Sequence, residues 1–185
     1  ETPESGVVTF DQQELSGLDP TGVRRQMGVV LQSGVLNSGS ILDNIGVGGV
    51  ITMDEAWEAA EDSALADDIR AMPMGMHTMV SEGGGNLSGG QRQRLLIART
   101  LVLRPRILLM DEATSALDNR TQEVVSKSLE RRKVTRLVIA HRLSTIRSAD
   151  RIYVMDHGRV AQAGSFEQLV EQEGVFRSLM ARQQT

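Results

Sequence analysis

The chain has 185 residues, 40% of them hydrophobic, which is enough for one buried core and excludes a disordered segment. Its net charge of −4 speaks against a generic basic surface, so no nucleic-acid partner is expected. There is no cysteine, which rules out disulfides and thiolate metal sites. No run reaches about 18 apolar residues, so no segment is expected to span a membrane, and no signal peptide is read.

Aromatic residues make up 3% of the chain, leaving Val, Ile, Leu, Met and Ala to form the core. Short β-branched runs alternate with helical patterns, the layout of a mainly parallel α/β sheet. Val7 to Phe10 reads as a strand turning at Asp11. Asp19-Pro20 opens a helical turn through Gln26, and Gly28 to Leu31 forms a strand ending at Gln32. Ile41 to Ile45 is a short helix within a loop-rich stretch. Thr52 and Glu55 form a capping box for a helix that carries Trp57 towards Ala64, and a second helix covers Leu65 to Ala71. Trp57 is expected to be a buried anchor there, and Met72, Met74, Met76 and Met79 to fill core. After a glycine-rich stretch from Pro73 to Asn86, a helix extends to about Leu103 and is stopped by Pro105. Its arginines, Arg92, Arg94 and Arg99, read as a solvated face. A strand from Ile107 to Met110, a helix from Arg120 to Arg131 and a strand from Leu137 to Ala140 follow. The strand Arg151 to Met155 turns at His157-Gly158 into Arg159 to Gln162. Ser165 and Gln168 cap the C-terminal helices.

Two runs carry chemistry. Asn86-Leu87-Ser88-Gly89-Gly90-Gln91-Arg92-Gln93-Arg94 places a serine and two glycines at a helix start. Unpaired backbone N–H groups and the positive end of the helix dipole lie there, so a phosphate is favoured, and glycine lets it approach closely. Arg106-Ile107-Leu108-Leu109-Met110-Asp111-Glu112 is an apolar run ending in two carboxylates, the pattern of a buried parallel strand delivering a metal ligand and a base. A lone Asp-Glu pair is more often an exposed helix cap, but this pair follows four residues of buried type. His77 and His157 read as structural.

With Gln32 after its strand, Ser115-Ala116-Leu117-Asp118 and His141 in Ile139-Ala140-His141-Arg142-Leu143-Ser144, these runs occur in one fixed order. That order resembles the nucleotide-binding domain of ATP-binding cassette (ABC) transporters, from Ser5 to about Arg182. The resemblance implies a P-loop NTPase-like α/β core with a mainly parallel sheet and an inserted helical subdomain. The expected divisions are 1–40, a partial core with the glutamine loop; 41–103, the helical subdomain with the signature; and 104–185, the rest of the core. ATP and Mg²⁺ are the implied cofactors. Asp111 and Gln32 would hold Mg²⁺, Glu112 would be the general base, and His141 and Gln32 would complete the catalytic set. Ser88, Gly89, Gly90 and Gln91 would close on ATP held by a second nucleotide-binding domain, and Asp118 would couple the two sites.

Thr78 to Gly84 resembles the cross-talk loop of exporters, and Leu36 to Ile45 the exporter segment after the glutamine loop. The implied partners are the transmembrane domains of an exporter, possessing most resemblance to bacterial peptide or bacteriocin exporters, at the cytoplasmic face of the plasma membrane. A soluble ATPase of the same fold in DNA repair or translation, and a non-catalytic module, are the alternatives; the intact Glu112 and His141 count against the second. The phosphate loop, Gly-x-x-x-x-Gly-Lys-Ser/Thr, is missing, because the Lys127-Ser128 pair lies within a helix. Family order puts it ahead of Glu1, so the first strands are expected to be missing, with apolar sheet surface exposed and hydrolysis by this chain weak or absent.

Overall fold

The computed structural model describes residues 3–113, 117–140 and 143–183. The chain divides into two compact units, Glu1–Val138 and Ile139–Thr185.

The first unit is built on a small parallel sheet. Strand β1 (Thr9–Phe10) and strand β2 (Gln13–Glu14) form an antiparallel hairpin that precedes it. Helix α1 (Pro20–Arg25) starts where Asp19 accepts hydrogen bonds from the Thr21 and Gly22 amides, with Pro20 supplying a fixed φ at the first turn. It leads into β3 (Met27–Val30), which runs parallel to β6 (Ile107–Asp111) with Met27 beside Ile107 and Val30 beside Met110. On the other side of β6 lies β7 (Thr135–Ile139), which begins two residues earlier than the apolar run predicted.

One face of this sheet is core. Val30, Leu108 and Met110 pack with Ile97 and Leu101 of helix α5 (Gly89–Leu101) and with Val125 and Leu129 of helix α6 (Asn119–Arg131). The approach of α5 to β3 is close: a Cβ on Gly28 would lie 2.5 Å from the Thr100 methyl. The opposite face leaves Val29 51% and Leu137 63% exposed.

The other side of α5 closes a helical core. Helices α2 (Ile41–Ile45), α3 (Met53–Asp62) and α4 (Ala66–Ala71) contribute Ile41, Ile45, Ala59 and Ile69, which surround Leu95. Strand β4 (Gly39–Ser40) pairs antiparallel with β5 (Met79–Val80) beside them. Trp57 packs against this core half-buried rather than fully, with the Arg70 guanidinium 5.2 Å above its ring. The methionines divide: Met76 is buried and Met72 packs partly buried, whereas Met74 and Met79 are exposed. Asp62 of α3 accepts from Ser128 and Arg132, tying the helical core to α6.

The second unit holds α7 (Leu143–Arg147), the antiparallel hairpin β8 (Ile152–Asp156) and β9 (Arg159–Gly164), α8 (Phe166–Glu171) and α9 (Val175–Gln183). The hairpin turns at His157 and Gly158, both at positive φ, and Ser165 caps α8 by accepting from the Gln168 amide. Val154, Leu169 and Phe176 form its core, with the Phe166 and Phe176 rings edge-on at 5.8 Å. No helix among the described residues is long and apolar enough to cross a membrane.

Candidate active site

The register of β3 against β6 places the site. Val30 lies beside Met110, so the chain two residues further on brings Gln32 level with Glu112. There the Gln32 Nε2 donates a hydrogen bond to the Glu112 Oε2 at 3.1 Å. Gln32 is in a tight turn closed by the Gly34 amide donating to the Leu31 carbonyl at 3.2 Å. Asp111 ends β6, half-buried, at the carboxyl edge of the strands where open α/β sheets bind their ligands. Glu112 has φ of 48°, a left-handed conformation that glutamate adopts only when its surroundings hold it. One such restraint is Gln93 of α5, whose Nε2 donates to the Glu112 carbonyl at 3.4 Å.

The signature run begins α5 as predicted. Ser88 accepts from the Gln91 amide at 3.1 Å, while Gln91 Oε1 accepts from the Ser88 amide at 3.0 Å, a reciprocal capping box. The Gln91 Nε2 continues to Asp68 of α4 at 2.8 Å, and Asp68 also pairs with Arg94 at 2.6 Å. Burial acts to raise the Asp68 pKa, but the hydrogen bonds from Gln91 and Arg94 and the Arg94 charge outweigh it and hold the carboxyl below its ordinary value. Gly89 and Gln32 border one open cavity of about 290 Å³, with Arg92 and Gln93 between them. The glutamine turn and the first residue of α5 therefore face a common space.

Asp118 caps α6, accepting from the Thr121 hydroxyl at 2.6 Å and its amide at 3.0 Å, which hold its carboxyl below the usual range. It is exposed and turned to its own helix. His141 lies outside the described residues, as do Ser115 and Ala116.

The arginines correct the sequence reading. Arg92 is exposed, but Arg94 and Arg99 are half-buried and donate to neighbouring segments instead of forming a solvated face. A guanidinium with five donors can satisfy carbonyls inside a wall, which charge alone does not reveal. Gln93 was also missed, although Gln93, Ile97, Thr100 and Leu101 are all buried and share the spacing of one helical face.

Among the described residues no three His, Asp or Glu side chains gather as a ready metal cage. The donors at the strand end are hard oxygens, the Asp111 carboxylate and the Gln32 amide carbonyl, and these suit Mg²⁺, which takes few protein ligands and fills its shell with water and phosphate oxygen.

The family model described as ABC transporter matches residues 1–115. The chain belongs to the ABC transporter family. Among ABC relatives, it is 45% identical over 174 residues to the alpha-hemolysin translocation ATP-binding protein HlyB of Escherichia coli, covering 92% of this chain and 25% of that protein. It is 44% identical to the mitochondrial potassium channel ATP-binding subunit of Rattus norvegicus, covering 98% of this chain and 26% of that protein. Among solved structures it superposes with a TM-score of 0.94 and 41% identity on a bacterial Atm1-family ABC exporter with ATP bound, covering 99% of this chain and 32% of that one. The chain thus has the α/β fold of an ABC ATPase domain and spans about a quarter of the length of these curated relatives.

Proposed function

We propose that the chain is the ATP-binding and ATP-hydrolysing part of an ABC exporter, working at the cytoplasmic face of a membrane beside transmembrane domains. The observation that supports this most is the 3.1 Å hydrogen bond between Gln32 and Glu112 at the strand edge. It holds a carboxylate and an amide side by side at the edge where an attacking water would have to be activated. In this reading Glu112 would take the water's proton, Gln32 and Asp111 would offer oxygens to Mg²⁺, and His141 would contact the γ-phosphate. Mg²⁺, when bound, supplies charge neutralisation for the transferred phosphate.

Ser88, Gly89, Gly90 and Gln91 would close on ATP held by a second nucleotide-binding domain, with the free amides and dipole of α5 directed at the phosphates. Asp118 would lie in the loop that couples the two sites. The exported cargo is a peptide or bacteriocin in this reading, which rests on the likeness of 36–45 and 78–84 to exporter segments. The 185 residues contain no Gly-x-x-x-x-Gly-Lys-Ser/Thr, so their own grip on the β- and γ-phosphates is weak.

Phosphate release from Mg²⁺–ATP tests this directly. The chain alone should stay near background. The same chain preceded by a phosphate-loop segment taken from an ABC relative should turn ATP over. Ordinary turnover by the chain alone, or none by the joined chain, would overturn the reading.

A further inference from the structure

We infer that Arg99 is a positioning residue for Gln32: its guanidinium pins the backbone just after the glutamine turn to α5 and so sets the Gln32–Glu112 hydrogen bond. The functional meaning rests on the reading of Gln32 and Glu112 given above.

Arg99 lies in the last turns of α5 and donates to three oxygens on two other segments. Its Nη1 reaches the Val35 carbonyl at 3.1 Å, its Nε the Asn44 carbonyl at 2.9 Å and its Nη2 the Asn44 Oδ1 at 2.5 Å. Asn44 is buried and passes the restraint on. Its Nδ2 donates to the Asn37 and Ser40 carbonyls at 2.9 and 3.0 Å, and its Oδ1 accepts from the Asn37 amide at 3.0 Å. Residues 35–40 are thereby fastened to α2 and α5 at once.

Arg99 shares the exit of the turn with Leu36, which is fully buried in the helical core and accepts from the Gly83 amide at 2.9 Å. Val35 itself is 64% exposed, so its tie to α5 runs through its carbonyl and Arg99. Gly34, which precedes it, lies so near α5 that a Cβ there would stand 2.8 Å from Leu96. The turn bearing Gln32 is consequently pressed on α5 by Leu96 and held there by Arg99.

All three acceptors of Arg99 are neutral, and among the described residues no carboxylate pairs with it. Partial burial pulls its pKa down, with no counter-charge to offset the lost hydration. Such a group adds little stability for its desolvation, so its geometry is the property that counts. A lysine would place one compact charge where Arg99 places a planar fork, and could not span Val35 and Asn44 together. The same helix carries Ser88 at its start, roughly 16 Å away along the axis. A shift at the signature end would reach Gln32 through this clamp.

The test uses the ¹⁵N-labelled 185-residue chain without nucleotide. The Gln32 side-chain amide is assigned by its loss in Gln32→Ala, and Glu112→Ala should shift it in the parent chain. In Arg99→Ala, and equally in Arg99→Lys, which keeps the charge should alanine prevent folding, that response should be lost. Arg132→Ala is the control, since it removes another half-buried arginine, one paired with Asp62 and Glu58. It should lower Tm and leave the response intact. Retention of the response in the Arg99 variants, or equal loss in Arg132→Ala, overturns the proposal. If Glu112→Ala leaves the amide unmoved in the parent chain, the Gln32–Glu112 pair itself falls and the proposal with it. Because no ATP is present, failure of the ATP reading leaves this measurement standing.

Discussion

Gln32 and Glu112, 80 residues apart in the chain, are joined by a 3.1 Å hydrogen bond at the carboxyl edge of two parallel strands. Strand register brings them level, and α5 restrains both, through Leu96 and Arg99 on the glutamine turn and through Gln93 on the Glu112 carbonyl. The residues read as the chemistry and the residues read as the signature thus share one helix as their mechanical frame.

The Asp62–Arg132 pair joins α3 to α6 with side chains only 12% and 17% exposed. Asp62→Ala would leave Arg132 partly paired with Glu58 but stranded from its main partner. The expected loss is about 3 kcal/mol, read from the urea midpoint at unchanged slope. A loss below about 0.5 kcal/mol would mean the pair behaves as a surface contact.

Asp68 makes acid stability testable. Its carboxyl is held below the ordinary value of about 3.9, so it binds its proton less readily when folded than when unfolded. Its contribution is therefore complete above about pH 4 and fades as pH falls through the lower, folded value. Asp68→Asn should lower stability at neutral pH and narrow its difference from the parent chain in strong acid. A difference that widens in acid would contradict the assignment.

Ser88 has a structural role separate from any ligand. Ser88→Ala should cost about 1 kcal/mol through the lost cap, whereas Ser88→Gly should cost only a few tenths. Thermal unfolding of both variants separates capping from phosphate contact, because both remove the hydroxyl and only one leaves the helix start poorly capped.

Gly28 tests the packing of the sheet on α5. Gly28→Ala drives a methyl into Thr100 and should destabilise by about 1–3 kcal/mol by denaturant titration. Pairing it with Thr100→Ser, which removes the offending methyl, should recover part of that loss.

Local features were legible because each is written in a few neighbouring residues. The capping boxes at Thr52–Glu55 and Ser165–Gln168, the five-residue helix α2 and the apolar run of β6 all form where spacing put them. The order of motifs carried the family, and the comparisons agree. What the sequence hid depends on distant partners. Arg94 and Arg99 look like solvent-facing charges until Asp68, Val35 and Asn44 are folded against them. Gln93 looks like one more polar residue until Glu112 is placed beside it, and the left-handed backbone of Glu112 has no local signature. Helix α5 ends at Leu101 rather than Leu103 because Arg104 turns left-handed ahead of Pro105.

The role of Glu112 as the base is best tested by phosphate release from Mg²⁺–ATP, using the chain joined to a phosphate-loop segment and its Glu112→Gln variant. The amide keeps the shape and cannot take a proton. Turnover should fall by about 10²-fold or more while ATP is still bound. A Glu112→Gln chain that hydrolyses ATP as fast as its parent would contradict the account.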